Sequence, residues 1–286
     1  MAVQATSSVR GAGAVLGSPR RRPARARLRA FGPSAVLFVI GAALIYPVID
    51  AVVGSFLTQG TGTPTLEYWS QVWHTLPVLG DMGVSLALSV VVVLGVLVIA
   101  TPCGYALAKL RFRGAGVVAT VAVGCMMIPT ESILIPEYIN FVRLGLVGTV
   151  LGTVLVYVGM GIPFAVFLTA SYFRRLPDSL MEAALVDGAG HVRVFLRVMV
   201  PLARPALAIV AVLQFLGVWN DLLTALLFLP QQVRTISVGL ASLQGTHVAN
   251  TNAMIAGSIL SAIPPVLIYL LFQRHLISGL TMGADK

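Results

Sequence analysis

The sequence predicts an all-α membrane protein with six transmembrane helices, and three observations carry that prediction. Hydrophobic residues make up 57% of the 286 and charged residues only 10%, too little charge to cover a soluble domain of this size. Six apolar stretches are each long enough, at about 20 residues, to cross a hydrocarbon core of ~30 Å as a helix. The basic residues fall in short blocks beside these stretches, which is the pattern of membrane topology and anionic headgroups. Mean hydropathy is +0.93. The formal charge of +9 therefore points to lipid rather than nucleic acid.

Taken in order, residues 1–30 are rich in Ala, Gly, Ser, Pro and Arg and are expected to form a disordered cytoplasmic tail. No aromatic residue interleaves with Arg20, Arg21, Arg22, Arg25, Arg27 and Arg29, which argues against a nucleic-acid partner. The apolar run that follows exceeds signal-peptide length and reads as an anchor that stays. Spans are expected at 33–56, 84–108, 116–135, 147–173, 205–229 and 254–272. Pro47, Pro102, Pro129, Pro163, Pro264 and Pro265 lie within them, and each removes a backbone hydrogen bond and is expected to kink its helix. The connection 57–83 carries Tyr68, Trp69 and Trp73 at headgroup level, while 230–252 is polar. Neither connection is large enough for a catalytic domain. Cys103 and Cys125 both sit in apolar segments and read as inert buried thiols.

Orientation follows from the Lys and Arg residues. With the N-terminus inside, 17 of the 19 lie on the cytoplasmic side, and Arg143 and Arg234 lie outside. That places the longest polar interruption of the second half, residues 176–205, in the cytosol. Two short helices joined by a bend fit it. Pro177 and Asp178 suit a helix start, Asp187-Gly188 supplies a turn, and Val192, Phe195, Leu196 and Met199 recur at helical spacing until Pro201 and Pro205.

Within that elbow, Glu182-Ala183-Ala184, Asp187-Gly188-Ala189, Phe195, Pro201-Leu202 and Pro205 resemble the EAA loop of ABC-importer permeases. With Trp219-Asn220 downstream, the set is similar to the carbohydrate, maltose-type branch of that family. Tyr105-Ala106-Leu107-Ala108, Phe112-Arg113-Gly114, Met127-Ile128-Pro129, Ile135-Pro136 and Phe272-Gln273-Arg274 extend the resemblance over nearly the whole chain after residue 30. Val84-Ser85 departs from it, because the family usually opens its second span with Asn-Ser.

The resemblance implies a type I importer permease fold. Residues 31–81 would hold the first helix and an outer loop, 82–275 a five-helix permease core, and 276–286 a cytoplasmic tail. It implies no cofactor in this chain, since ATP and Mg would be bound by a partner. The implied partners are a dimeric cytoplasmic ATPase, a second permease subunit, an extracytoplasmic solute-binding protein and the lipid bilayer of a bacterial cell membrane. Glu182 would pair with the ATPase surface, Ala183, Ala184 and Gly188 would allow close approach, Phe195, Leu196 and Met199 would be the apolar anchors, and Asp187, Ala189 and Pro201 would belong to the same docking loop.

Chemistry of other kinds leaves little trace. Asp50, Glu131, Glu137 and Asp221 lie in or beside spans, with no pairing motif that links them. Trp219, Asn220 and Asp221 form the candidate pathway cluster, with a packing role as the alternative. The four histidines lack metal-ligand spacing, and no G-x-x-x-x-G-K-[ST] occurs. A permease for another solute, such as glycerol phosphate or a polyamine, is the nearer alternative, and a stand-alone secondary transporter the more distant one.

Overall fold

The computed structural model describes residues 24–243 and 251–281, with side chains from 36 to 243 and from 251 to 273. The described elements are helices, joined by turns and by one isolated bridge between Leu57 and Pro64. Residues up to Ala51 form one unit and residues from Val52 a second. Most of α1 (Ala24–Gly54) belongs to the first unit, and its stretch Val36–Gly54 is long and apolar enough to cross a membrane, with Asp50 as its one charged residue. The helix begins at Ala24, so the end of the leader expected to be disordered is helical. Residues 1–23 of that leader lie outside the described residues.

In the second unit, α2 (Glu67–Thr75) occupies the connection after the first span, a helix that the sequence reading leaves as loop. The long helices α3 (Val78–Lys109) and α6 (Val150–Arg175) pack along each other and form the centre of the core. Small residues let them approach. A Cβ at Gly104 would overlap the Thr169 hydroxyl and lie 2.8 Å from the Ala170 nitrogen, so only glycine fits that crossing. Val92, Val96, Ala100, Val158, Ala165 and Val210 fill the layer between α3, α6 and α9 (Arg204–Asn220).

Two of the six expected spans are broken. The third divides into α4 (Ala115–Met126) and α5 (Thr130–Arg143), whose axes differ by 103° across Met127–Pro129. Pro129 has no N–H to continue the ladder and its preceding residue avoids helical ψ, so the helix stops there. The fifth ends at Asn220, and a separate helix α10 (Leu223–Phe228) follows after Asp221 and Leu222. By contrast, Pro102 and Pro163 sit inside continuous helices. α11 (Ile236–Ser242) and α12 (Thr251–Thr281) complete the unit, α12 packing on α9 and α2.

Polar contacts tie the segment before α11 to the start of α3. Arg234 Nε donates to the Asp81 carboxylate at 3.0 and 3.2 Å, and Asp81 is buried. Ser85 Oγ accepts from the Ile236 amide at 2.8 Å, which gives the serine of Val84-Ser85 a structural task. A Cβ at Gly239 would lie 2.5 Å from the Asp81 carboxylate, so the turn of α11 rests directly on the ion pair.

Candidate functional site: the elbow and a polar cavity

The elbow is built by α7 (Asp178–Val186) and α8 (His191–Leu202), as its punctuation predicts. α7 ends in a glycine-dependent cap. The Gly188 amide donates to Leu185 O and the Ala189 amide to Ala184 O, both at 3.0 Å, with Gly188 at φ +82°. That left-handed backbone carries a steric penalty for any residue with a Cβ. α8 contains a wide turn at Phe195–Met199, in which the Val200 amide bonds to Phe195 O five residues back. Pro201 supplies the reason, because its missing N–H leaves the ladder one donor short at that point.

The faces of the elbow divide cleanly. Glu182, Ala183, Asp187 and Gly188 are exposed, and Val186, Val192 and Leu196 present apolar side chains to the outside. Ala184 and Ala189 are half-buried against the aromatic base of the elbow. Met199 is 0% exposed, enclosed with Tyr105, Phe173, Val194 and Ala203. Phe195 packs its ring 5.0 Å from that of Tyr105. Two of the three residues expected to anchor an outside contact are therefore anchors of the elbow onto its own bundle. Only Leu196 faces outward, because 3.6-residue spacing cannot say which side of a short helix the rest of the chain covers. Pro201 is half-buried.

Beneath the elbow lies a link that the sequence reading omits. Lys109, the last residue of α3, donates to Leu176 O at 2.6 Å and to Asp178 Oδ1 at 2.5 Å. Its side chain is 3% exposed, whereas Asp178 is largely open to solvent. The neighbouring ammonium holds the Asp178 carboxyl below its ordinary value of 3.8, through the hydrogen bond first and charge attraction second.

A second feature is a cavity of about 250 Å³ between α5, α6, α9 and α10, with Glu131, Tyr157, Gln214 and Asp221 among its lining. Asp221 sits in the break of the fifth span and caps α10, accepting from the Thr224 amide at 2.9 Å and the Ala225 amide at 3.3 Å. Tyr157 donates to the same carboxylate oxygen at 2.7 Å. Gln214 donates to Gly161 O at 3.4 Å, where a Cβ on the glycine would meet the amide at 2.6 Å.

Asp221 thus reaches the cavity, whereas its neighbours do not line it. Trp219 is buried, stacks on Phe215 and donates to Ser261 O at 3.1 Å, a packing role. Asn220 is exposed and donates to Leu216 O within its own helix. Glu131 and Asp221, scattered in sequence, meet here because the bend at Pro129 brings the start of α5 to the break after α9. Tyr157 and Gln214 carried no motif that could mark them. Among the described residues, no group of three or more His, Cys, Asp or Glu could hold a metal ion.

Comparison with known proteins agrees with this architecture. Residues 100–281 match the family described as binding-protein-dependent transport system inner membrane component. The chain is 34% identical over 269 residues to the trehalose/maltose transport system permease protein MalG of Thermococcus litoralis, covering 88% of this chain and 96% of that one. It is 33% identical over 260 residues to the arabinooligosaccharides transport system permease protein AraQ of Halalkalibacterium halodurans, covering 91% and 88%. It is also 34% identical over 238 residues to the osmoprotective compounds uptake permease protein GgtD of Synechocystis, covering 77% and 80%. A crystal structure of a bacterial ABC transporter involved in the import of the acidic polysaccharide alginate superposes with a TM-score of 0.74 at 23% identity, over 90% of this chain and 99% of that one. At that identity the likeness is one of fold. With apolar helices long enough to span a bilayer, a family match over more than half its length and relatives of this closeness, the chain belongs to the inner-membrane permease components of binding-protein-dependent ABC importers.

Proposed function

We propose that this chain is one transmembrane half of an ATP-driven importer that takes a sugar or oligosaccharide from a solute-binding protein and passes it inward by alternating access. The observation that carries the reading is the elbow. Its outer face offers Glu182, Ala183, Gly188 and Leu196 to a partner, while its inner face is pinned to α3 and α6 by Lys109, Met199 and Phe195. A surface so shaped can receive a push from a partner and pass it to the bundle. A separate dimeric ATPase that docks there binds ATP and Mg and hydrolyses the ATP, and this chain contributes no cofactor. A second, different permease subunit closes the other side of the pathway. The excess of Lys and Arg near the elbow supports a cytoplasmic elbow and cytoplasmic termini.

The solute class is carried over from relatives whose names specify trehalose, maltose and arabino-oligosaccharides. The cavity beside Asp221 is compatible with it, since hydroxyl, amide and carboxylate groups bond well to sugar hydroxyls. The test is co-purification from mild detergent of the tagged wild-type chain and its Glu182→Lys variant. Wild type is expected to bring an ATP-binding-cassette ATPase and a second permease. The variant is expected to lose the ATPase while keeping the permease. Wild type recovered alone refutes the importer, and undiminished ATPase with the variant refutes Glu182 as a docking residue.

A further inference from the structure

We propose that Lys109 is a positioning residue that locks the elbow to α3, so that α3 and α7 move as one body when the docked ATPase changes state. The inference rests on the importer reading above. Two facts converge on this side chain. Its ammonium is almost wholly enclosed, and a buried cation persists only when its donors are satisfied. Both of its acceptors belong to the junction of α6 and α7: the carbonyl of Leu176, which caps α6, and the carboxylate of Asp178, the first residue of α7. One group therefore joins the end of α3, the end of α6 and the start of the elbow.

The rest of that junction is apolar. Tyr105, one turn earlier on α3, lies 5.7 Å from the Phe173 ring and 5.0 Å from that of Phe195, and its hydroxyl meets the Met181 sulfur at 3.6 Å. Apolar contact is non-directional and tolerates sliding. Charge-assisted hydrogen bonds fix direction as well as distance. The aromatic layer thus holds the elbow against the bundle, and Lys109 sets its angle. Arg111, the other charge acting on Asp178, adds the weakest of the attractions to that carboxylate.

The test uses the assembled importer, in a background with Cys103 and Cys125 replaced by serine, since both are exposed and would take label. Spin labels at Leu110→Cys on the end of α3 and Val186→Cys on α7, both outward-facing, report their separation without nucleotide and with ATP and vanadate. The intact chain is expected to give one unchanged distance population in both states. Lys109→Met is expected to add a second population in the nucleotide state, which Lys109→Arg removes by restoring a cation. Asp178→Asn, an exposed change that leaves the fold alone, is expected to broaden the distribution less, because the Leu176 carbonyl still holds the ammonium. Co-purifying ATPase with unchanged distances in Lys109→Met overturns the lock and leaves the importer standing. Absence of any ATPase from the wild-type preparation overturns both.

Discussion

Substitution at Gly188 separates two contributions that usually arrive together. Its φ of +82° makes any Cβ costly by about 1–2 kcal/mol, a factor of roughly 5–30 in the population of the closed cap. A Cβ built there meets nothing within 4 Å, so no steric cost accompanies the backbone cost within the chain itself. Gly188→Ala and Gly188→Leu should therefore lower the thermal stability of the isolated chain equally. Gly188→Asn, which tolerates the left-handed region, should recover most of the loss. In the assembled importer the two variants should part company. A docked ATPase would fill the open space, so Gly188→Leu should lose ATPase binding or transport-coupled hydrolysis well beyond Gly188→Ala. Thermal melts of the purified chain and ATPase co-purification read the two effects separately. Equal stability of Gly188→Ala and wild type would refute the backbone argument. Equal coupling of the Ala and Leu variants would refute the placement of the partner.

Three other outcomes are expected. Met199→Ala should cost about 2–5 kcal/mol, as a large core truncation does, whereas Leu196→Ala should change stability by no more than about 0.5 kcal/mol yet weaken ATPase recovery; melts of both variants decide it. Arg234→Ala strands the buried Asp81 carboxylate and should destabilise by ~3 kcal/mol, the lower end for a buried pair because the guanidinium is partly exposed. Adding Asp81→Asn should return more than half of that, and a double variant as unstable as the single one would contradict the pairing. The carboxyl of Asp178 is held below 3.8 in the folded chain, so its contribution is present above that value and disappears as pH falls through the folded one. Wild type and Asp178→Asn should accordingly differ in melting temperature around pH 7 and converge under strong acid.

The features written in local rules are legible from the residues alone. Apolar length marks a membrane helix without reference to any neighbour, and basic residues mark its flanks. The elbow was legible for the same reason: Pro177-Asp178 and Asp187-Gly188 act within one turn of themselves, and α7 begins and ends where they indicate. Pro129 shows the boundary of that legibility. A proline in an apolar run predicts a disturbance, but whether it becomes a kink, as the continuous helix around Pro163 allows, or a 103° break depends on which neighbours receive the freed backbone groups. Long-range packing settles which face of α8 is covered, turning Met199 and Phe195 inward and leaving Leu196 out. It alone joined Asp221 to Tyr157, 64 residues away, and Lys109 to Asp178, 69 residues away. Those pairings carry no motif because each partner is an ordinary residue in its own segment. Their meaning comes from burial, which leaves a charge or hydroxyl no water to bond and makes the one available partner obligatory.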